Sequence, residues 1–484
     1  MNLRVISRNV GIALLVSALF MFLSVLVSLE SGGDSAFTAL NISFIITFIA
    51  GAFPFIFVRK AGDVSLKDGY MIIFLSWVLS FIFGMLPYLL WGGPFTVINA
   101  WFESVSGFTT TGSSILEDVE ALPRSLLFWR SSTHFIGGLG VVVFLLLIIP
   151  SSSPLKLRLA NMELSNLSKD GYRARVNKTV KIFAYVYLGL AFCAFISYWI
   201  AGMDMFDALN HAFSVCATGG FSTRNMSIAS FNSPVINIVT MVFMFLGSIH
   251  FGIIFLVFAT RSLKPLKNRV LRFYFSTLVV AAVVVSISLK INGTVATWSD
   301  AFMDGTFQVI AYSSTTGFGI CDNSNWPLLG CIMLMFVGMM CGMAGSTTGG
   351  IKSDRLLYLI KAIKSQVKRS INPSSVSKIK IGNSYFSDEE VFPHVLYITV
   401  FIFFIAISML LCLIFGTGDV NAISGTISSL TNVGPALGEI GSMGNYNAEP
   451  SAAKFIYSLD MLLGRLEIYP VIAVFSIMFH RNRK

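Results

Sequence analysis

Four glycines at a fixed offset constrain this chain more than any other feature. Gly112, Gly220, Gly317 and Gly434 each lie thirteen residues after an Asn or Asp, namely Asn99, Asp207, Asp304 and Asn421. Their neighbours match in kind: Thr109-Thr110-Thr111-Gly112-Ser113, Ala217-Thr218-Gly219-Gly220-Phe221, Ser314-Thr315-Thr316-Gly317-Phe318 and Thr431-Asn432-Val433-Gly434-Pro435. One polar turn is thus repeated four times inside a hydrophobic sequence. Such copies are expected to sit as quadrants around a common axis. Rings of backbone carbonyls are how proteins coordinate dehydrated cations, so the turns read as the wall of a cation pore.

The hydrophobic share is 55% of 484 residues and the charged share 12%, which places the chain among integral membrane proteins. Apolar runs long enough to cross a hydrocarbon core of about 30 Å at about 1.5 Å per residue recur along it. They lie near residues 9–29, 36–58, 70–91, 126–149, 179–201, 234–260, 271–290, 328–350, 391–415 and 453–478. The first follows Arg4 and Arg8 but runs past the apolar core of a signal peptide, with no small-x-small site before Glu30. It therefore reads as a retained helix.

Basic residues accumulate on cytoplasmic loops, and here they alternate with acidic connections. Arg4 and Arg8, Arg59 and Lys60, the stretch Lys156 to Lys181, Arg261 to Arg272, Lys352 to Lys380, and Arg481, Arg483 and Lys484 fall on one side. Glu30, Asp34, Glu117, Asp118, Glu120, Asp204, Asp207, Asp300, Asp304, Asp322, Asp419, Glu439 and Glu449 fall on the other. Both termini are expected to be cytoplasmic, with an even number of spans. The net charge of +10 sits in short loops beside apolar runs, so topology and anionic lipid headgroups account for it, and no nucleic acid is expected. Six cysteines, at 193, 216, 321, 331, 341 and 412, lack Cys-x-x-Cys spacing and read as ordinary buried thiols.

Each repeat reads as a spanning helix, a short re-entrant helix, the glycine turn and a second span. Asx residues are good N-caps, so Asn99, Asp207, Asp304 and Asn421 are expected to open the re-entrant helices. About ten residues rise roughly 15 Å, half the hydrocarbon core, which leaves the C-terminal carbonyls facing the shared centre. The expected ion-facing groups are Thr110, Thr111, Gly112, Thr218, Gly219, Gly220, Thr315, Thr316, Gly317, Asn432, Val433 and Gly434. The fold class is all-α: four membrane-pore-membrane repeats around a central pseudo-fourfold pore, plus two extra N-terminal transmembrane helices. The divisions are 1–68 for the extension and 69–155, 156–262, 263–385 and 386–484 for the repeats. Because one strict glycine per repeat offers fewer fixed carbonyl rings than a five-residue filter, discrimination between cations is expected to be looser.

The third repeat's second span is interrupted by Gly345-Ser346-Thr347-Thr348-Gly349-Gly350 before Ile351 and Lys352. A Gly- and Thr-rich break there opposes a continuous helix and is read as an intramembrane gating loop below the turns. In the fourth repeat Arg465 lies deep in its span, near Asp460 and Glu467, where an ionisable group is costly and faces a cavity or a partner. It is expected to line the pore below the turns, the bland alternative being a salt bridge to Glu467 or Asp460. Lys352 is the weaker candidate. His134, close to Gly137, Gly138 and Gly140, reads more simply as a packing residue than as a proton-coupled hinge.

The four repeats, the single-glycine turns and the run Gly345 to Lys352 resemble the Trk/Ktr/HKT superfamily of potassium transporters over essentially the whole chain. The two helices over residues 9–58 look like the ten-helix Trk branch, TrkH type. The resemblance implies potassium as the transported ion, bound at the four turns, with Gly345 to Gly350 as gate and Arg465 as the basic residue facing it. It also implies a homodimer in the lipid of the cell inner membrane, and a cytoplasmic nucleotide-binding regulatory subunit, TrkA-like, for which Lys352 to Lys380 offers a contact. The chain has neither a phosphate-cradling Gly-rich loop followed by Lys-Ser or Lys-Thr nor a dinucleotide fingerprint, so no nucleotide cofactor is expected. The competing readings are a proton- or sodium-coupled symporter, an intramembrane hydrolase built on His134, His211 and Ser346, and a regulatory scaffold. Those three residues are too scattered for a triad, and no enzymatic activity is expected.

Overall fold

In hydrocarbon a backbone must satisfy its own polar groups, and helices do so within one segment. The computed structural model describes residues 1–58, 65–148, 176–372, 379–382 and 384–480, and these are helical almost throughout. The basic positions Arg59, Lys60, 156–175 and 481–484 lie outside the described residues, as does the division between the first two repeats.

The N-terminal helices α1 (Leu3–Glu30) and α2 (Phe37–Phe57) form a hairpin. Glycines let them approach closely, since a Cβ built on Gly11 would lie 2.6 Å from the Gly51 carbonyl oxygen. Both ends of α1 are fastened. The Asn2 amide donates to Asp68 Oδ1 at 2.9 Å. Ser28 Oγ and Ser125 Oγ both donate to Asp34 Oδ1, at 2.6 and 2.9 Å.

The first repeat comprises α3 (Leu66–Gly84), α4 (Leu86–Trp91), the short re-entrant α5 (Val97–Phe108) and α6 (Arg124–Ile148). The second comprises α7 (Val176–Ile200), re-entrant α8 (Met205–Ala217), α9 (Pro234–Ser248) and α10 (Phe251–Thr260). The third comprises α11 (Arg269–Ile291), re-entrant α12 (Trp298–Ser313), α13 (Leu328–Met340) and α14 (Ser353–Ile371). A two-stranded antiparallel hairpin, β1 (Ile379–Ile381) with β2 (Ser384–Phe386), pairs Ile379 with Phe386 and leads into the fourth repeat. That repeat comprises α15 (Asp388–Ile414), re-entrant α16 (Asp419–Thr431), α17 (Ser451–Leu466) and α18 (Ile468–His480).

The second span of each repeat packs on the re-entrant helix of the next: α6 on α8, α9 on α12, α13 on α16, and α17 back on α5. This order closes the four repeats into a ring.

Two expectations need correction. The re-entrant helices are capped by Thr96, Asp204, Thr297 and Gly418. Asn99, Asp207 and Asn421 stand one turn inside, three residues after the cap, and Asp304 lies deeper still. Second, the runs 234–260, 328–350 and 453–478 are not continuous spans. The α9–α10 pair bends by 100° and the α17–α18 pair by 104°. Helix α13 stops at Met340, before the Gly-rich run begins. Six of the described helices are long and apolar enough to cross a membrane, or eight if each bent pair counts as one span.

Gly51→Leu is expected to force α1 and α2 apart and lower stability by about 1–3 kcal/mol, the range for overpacking. Thermal unfolding of the detergent-solubilised protein measures this, and an unchanged midpoint would show that the hairpin contact carries no stability.

Candidate functional site

The four turns share one backbone conformation. Thr110, Thr218, Thr315 and Asn432 have φ of 54°, 55°, 53° and 57°, and Gly112, Gly220, Gly317 and Gly434 have φ of 83°, 81°, 70° and 99°. Glycine is the residue that takes such angles at little cost. The turns also interlock in cyclic order. A Cβ built on Gly112 would lie 2.0 Å from the Gly219 carbonyl oxygen, one on Gly220 2.0 Å from that of Thr316, one on Gly317 2.2 Å from that of Val433, and one on Gly434 2.3 Å from that of Thr111. Every ring glycine thus faces the carbonyl that precedes the next ring glycine, and no other residue fits. None of these four carbonyls accepts a hydrogen bond among the described residues.

Different side chains brace the turns. Thr109 and Thr111 hydroxyls pair at 2.8 Å, as do those of Ser314 and Thr316. Asn432 Nδ2 donates to Thr111 Oγ1 at 3.0 Å and to the Met461 carbonyl at 2.9 Å, joining the fourth repeat to the first. Ser113 Oγ and Tyr446 Oη both donate to the Gly434 carbonyl at 3.0 Å. On one side the ring glycines open into a vestibule lined also by Glu117, Arg130, Asn225 and Ser442.

The other side of the ring is covered by the chain between α13 and α14. It starts at Cys341 and ends at Lys352, whose φ values of 54° and 75° are unusual for side-chain-bearing residues. Thr347 Oγ1 donates to the Cys216 carbonyl at 3.2 Å, near the end of α8, and the Gly349 amide donates to Thr315 Oγ1 at 3.2 Å. A Cβ on Gly349 would lie 2.4 Å from the Thr431 carbonyl oxygen. Ser346 and Thr348 hydroxyls pair at 2.8 Å, and the Lys352 ammonium donates to the Thr348 carbonyl. Gly345 packs on the His250 ring and Gly350 on Cys341, each too tightly for a side chain.

Arg465 completes this cover. Its Nη1 donates to the Thr347 carbonyl at 2.5 Å and its Nη2 to the Gly137 carbonyl at 2.9 Å. Gly137 in turn lies against the Phe108 carbonyl at the end of α5. The 341–352 loop therefore touches the inner ends of three re-entrant helices and reaches the fourth through Arg465. The two acidic groups weighed as alternative partners are engaged elsewhere: Glu467 pairs with Arg355 at 2.6 Å, and Asp460 accepts from Ser408 Oγ at 2.7 Å. No ionic group in the sequence singles out the loop's early start at Cys341, because hydropathy stays high through Met339 and Met340.

The groups considered for hydrolysis are kept apart. His134 Nδ1 is bonded to Ser214 Oγ at 3.0 Å. His211 engages the Asp207 carbonyl at 2.8 Å and Ser222 Oγ at 2.9 Å. Ser346 Oγ donates to the Met343 carbonyl at 2.6 Å.

The sequence model of a family described as "TrkH: Cation transport protein" matches residues 37–483. The chain is 31% identical over 492 residues to the Trk system potassium uptake protein TrkH of Escherichia coli (strain K12), covering 100% of both sequences. It is 32% identical over 486 residues to that of Halomonas elongata, again covering 100% of both. Among solved structures, the crystal structure of the potassium transporter TrkH from Vibrio parahaemolyticus matches with a TM-score of 0.88 and 30% identity over 98% of each chain.

Sequence reasoning missed the buried polar groups that hold the ring from behind. Arg130 and Glu103 pair at 2.8 Å with 2% and 0% of their side chains exposed. Arg130 also donates to the Ser222 carbonyl and to Ser114 Oγ, each at 3.2 Å, while the Ile115 amide donates to Glu103. Lys454 Nζ donates to Asn99 Oδ1 at 2.9 Å, Asn421 Nδ2 to Glu449 at 2.8 Å, and buried Asp207 pairs at 2.6 Å with Arg224, whose side chain is exposed. The available signal was an ionisable residue inside an apolar run, as with Arg130 within 126–149 and Lys454 within 453–478. Glu103→Ala leaves Arg130 buried without its anion and is expected to lower stability by about 3–5 kcal/mol. The double variant Glu103→Leu/Arg130→Met loses much less, since both charges are removed. Detergent unfolding of the three proteins tests this, and equal losses in the single and double variants would refute it.

Proposed function

The chain belongs to the TrkH family of cation transport proteins, and from that premise we propose that it takes up potassium through the glycine ring, as a channel-like pore gated by the 341–352 loop. It is a transporter rather than an enzyme. The observation that carries the reading is the cyclic contact of Gly112, Gly220, Gly317 and Gly434 with four carbonyls that accept no hydrogen bond among the described residues. Unpaired carbonyls at membrane depth are tolerable where they line a cavity, and there they replace the hydration shell of a cation. On this reading Thr110, Thr111, Thr218, Gly219, Thr315, Thr316, Asn432 and Val433 complete the filter with the ring glycines.

No energy-coupling element is needed for accumulation, because a membrane potential is worth about 2.3 kcal/mol per charge per 100 mV. The gate consists of Gly345, Ser346, Thr347, Thr348, Gly349, Gly350 and Lys352, held under the ring by Arg465. A cytoplasmic nucleotide-binding subunit, TrkA-like, opens it. In support, α14 leaves the loop directly and exposes Ile360, Ile363, Val367 and Ile371 in one stripe, with Lys361, Lys364 and Lys368 beside it. The protein works as a homodimer in the lipid of the cell inner membrane, with both termini cytoplasmic. Proton-coupled symport is the second reading. It is favoured by Asp460, a fully buried carboxylate whose Oδ2 has no hydrogen-bond partner among the described residues. A tenfold change of flux with pH at fixed voltage would favour it over a passive pore.

Flux into liposomes under an inside-negative potential tests the proposal with potassium, rubidium, sodium and lithium. Potassium and rubidium flux is expected to exceed sodium and lithium flux, and Gly317→Asp is expected to abolish it. Equal flux of all four ions, or flux unaffected at Gly317, would defeat the filter. Arg465→Ala removes the charge-assisted hydrogen bond that ties the loop at Thr347 to α17, together with the one to the Gly137 carbonyl of α6, and is expected to raise partner-free potassium flux by about tenfold or more. No increase would remove Arg465 from the gate.

A further inference from the structure

In three of the four turns the residue before the ring glycine carries a side chain: Thr111, Thr316 and Val433. In the second turn that residue is Gly219. Its φ lies outside the left-handed region, so its backbone does not require glycine. The space where a side chain belongs is filled from another repeat. A Cβ built on Gly219 would lie 2.3 Å from Nδ1, 2.5 Å from Cγ and 2.7 Å from Cε1 of His134, a residue of α6 in the first repeat.

The imidazole is held on several sides. Nδ1 is bonded to Ser214 Oγ on α8 at 3.0 Å, and the ring stacks on Phe221 with centroids 4.1 Å apart. Phe221 also carries the Arg130 guanidinium 4.0 Å from its centroid. His134 is 0% exposed. In the first and third turns a hydroxyl pair braces the corresponding backbone, Thr109 with Thr111 and Ser314 with Thr316. The second turn has Ala217 and Gly219 at those places and lacks such a pair.

We propose that His134 is a positioning residue for ion selectivity, supplying from the first repeat the side chain that the second turn lacks and so fixing the Gly219 carbonyl that faces Gly112. The inference rests on the reading of the ring as the filter. Gly219 is glycine because His134 occupies its side-chain space, and the two positions form a compensating pair.

Full-length Gly219→Thr, His134→Ala, His134→Gln and the double variant His134→Ala/Gly219→Thr are compared in liposomes, with thermal unfolding measured alongside. Gly219→Thr alone collides with the imidazole, and potassium flux falls roughly tenfold, as overpacking of this kind predicts. His134→Ala keeps the flux but lowers the potassium-to-sodium ratio by roughly fivefold, the scale of one hydrogen bond, without a matching fall in unfolding temperature. His134→Gln retains a polar group able to reach Ser214 and gives an intermediate ratio. The double variant recovers flux above Gly219→Thr and ratio above His134→Ala.

An unchanged ratio in His134→Ala, or a double variant no better than Gly219→Thr, overturns the inference. If His134→Ala does not fold, the ratio of His134→Gln decides, and a wild-type value there overturns it. A wild-type protein without discrimination between potassium and sodium defeats the filter reading itself, whereas a selective wild type with an unaffected His134→Ala defeats only this inference.

Discussion

Four backbone carbonyls, those of Thr111, Gly219, Thr316 and Val433, are aimed at the glycines of neighbouring repeats and accept no hydrogen bond among the described residues. In a medium of low polarity each unpaired group costs several kcal/mol, a cost that water or a cation at the centre of the ring would offset. Most of the surrounding structure serves to keep those oxygens in place. The left-handed residue ahead of each ring glycine turns the chain at the end of a re-entrant helix. The helix ends point the negative poles of their dipoles inward. Behind them stand the Glu103–Arg130 pair and the contacts of Asn99, Asp207 and Asn421, which tie the start of each of three re-entrant helices to a returning segment. Polar residues thus occupy the centre of a protein whose outer surface is apolar.

The cover below the ring depends on how the second spans end. In three repeats the second span breaks at mid-depth, by a bend of 100° at Ile249–His250, by the loop from Cys341, and by a bend of 104° at Glu467. The bends create the room that the 341–352 loop fills, and the loop is bonded to the first break: the Met343 amide donates to the Ser248 carbonyl and the Phe251 amide donates to the Gly345 carbonyl. The second bend is fixed by Arg355, which belongs to the helix leaving the loop and pairs with Glu467. Like unit charges about 5 Å apart repel by about 3 kcal/mol at an effective dielectric constant near 20. Under the proposed gate, a guanidinium below the ring would be sufficient to oppose a passing cation while the loop is in place.

What could be read from the sequence followed the backbone's demands. A ring glycine is required by its φ and by the carbonyl next to it, so its spacing is visible as Gly112, Gly220, Gly317 and Gly434. Three caps were misplaced by one turn and the third repeat's, expected at Asp304, by two. Thr96 and Asp204 stand three residues ahead of Asn99 and Asp207 and all four are capping types, so the registers look alike, while Gly418 has no side chain to mark it ahead of Asn421. The bend at His250 was invisible for a different reason: hydropathy summed over a window is blind to direction. The bend at Glu467 did leave a signal, since Pro470 cannot donate to the Leu466 carbonyl at which α17 ends. The Gly345 to Gly350 run was legible as a break, but its true start at Cys341 lies within an apolar stretch. His134 showed only as a lone histidine, since its relation to Gly219 spans two repeats and exists only after folding.

Fusing four repeats in one chain is what permits a single loop to cover the ring. The 341–352 segment contacts Cys216, Thr315 and Thr431 at the inner ends of three re-entrant helices and reaches the fourth through Arg465 and Gly137. A strictly symmetric tetramer would carry four such loops and four arginines competing for one axial position, which sterics and like-charge repulsion forbid. Once the repeats share a chain, each is released to specialise: the third supplies the loop, the fourth the arginine, and the first the imidazole that fills the second turn. The symmetry is strictest in the backbone at the ring, where the geometry of four carbonyls around one centre leaves least freedom to diverge.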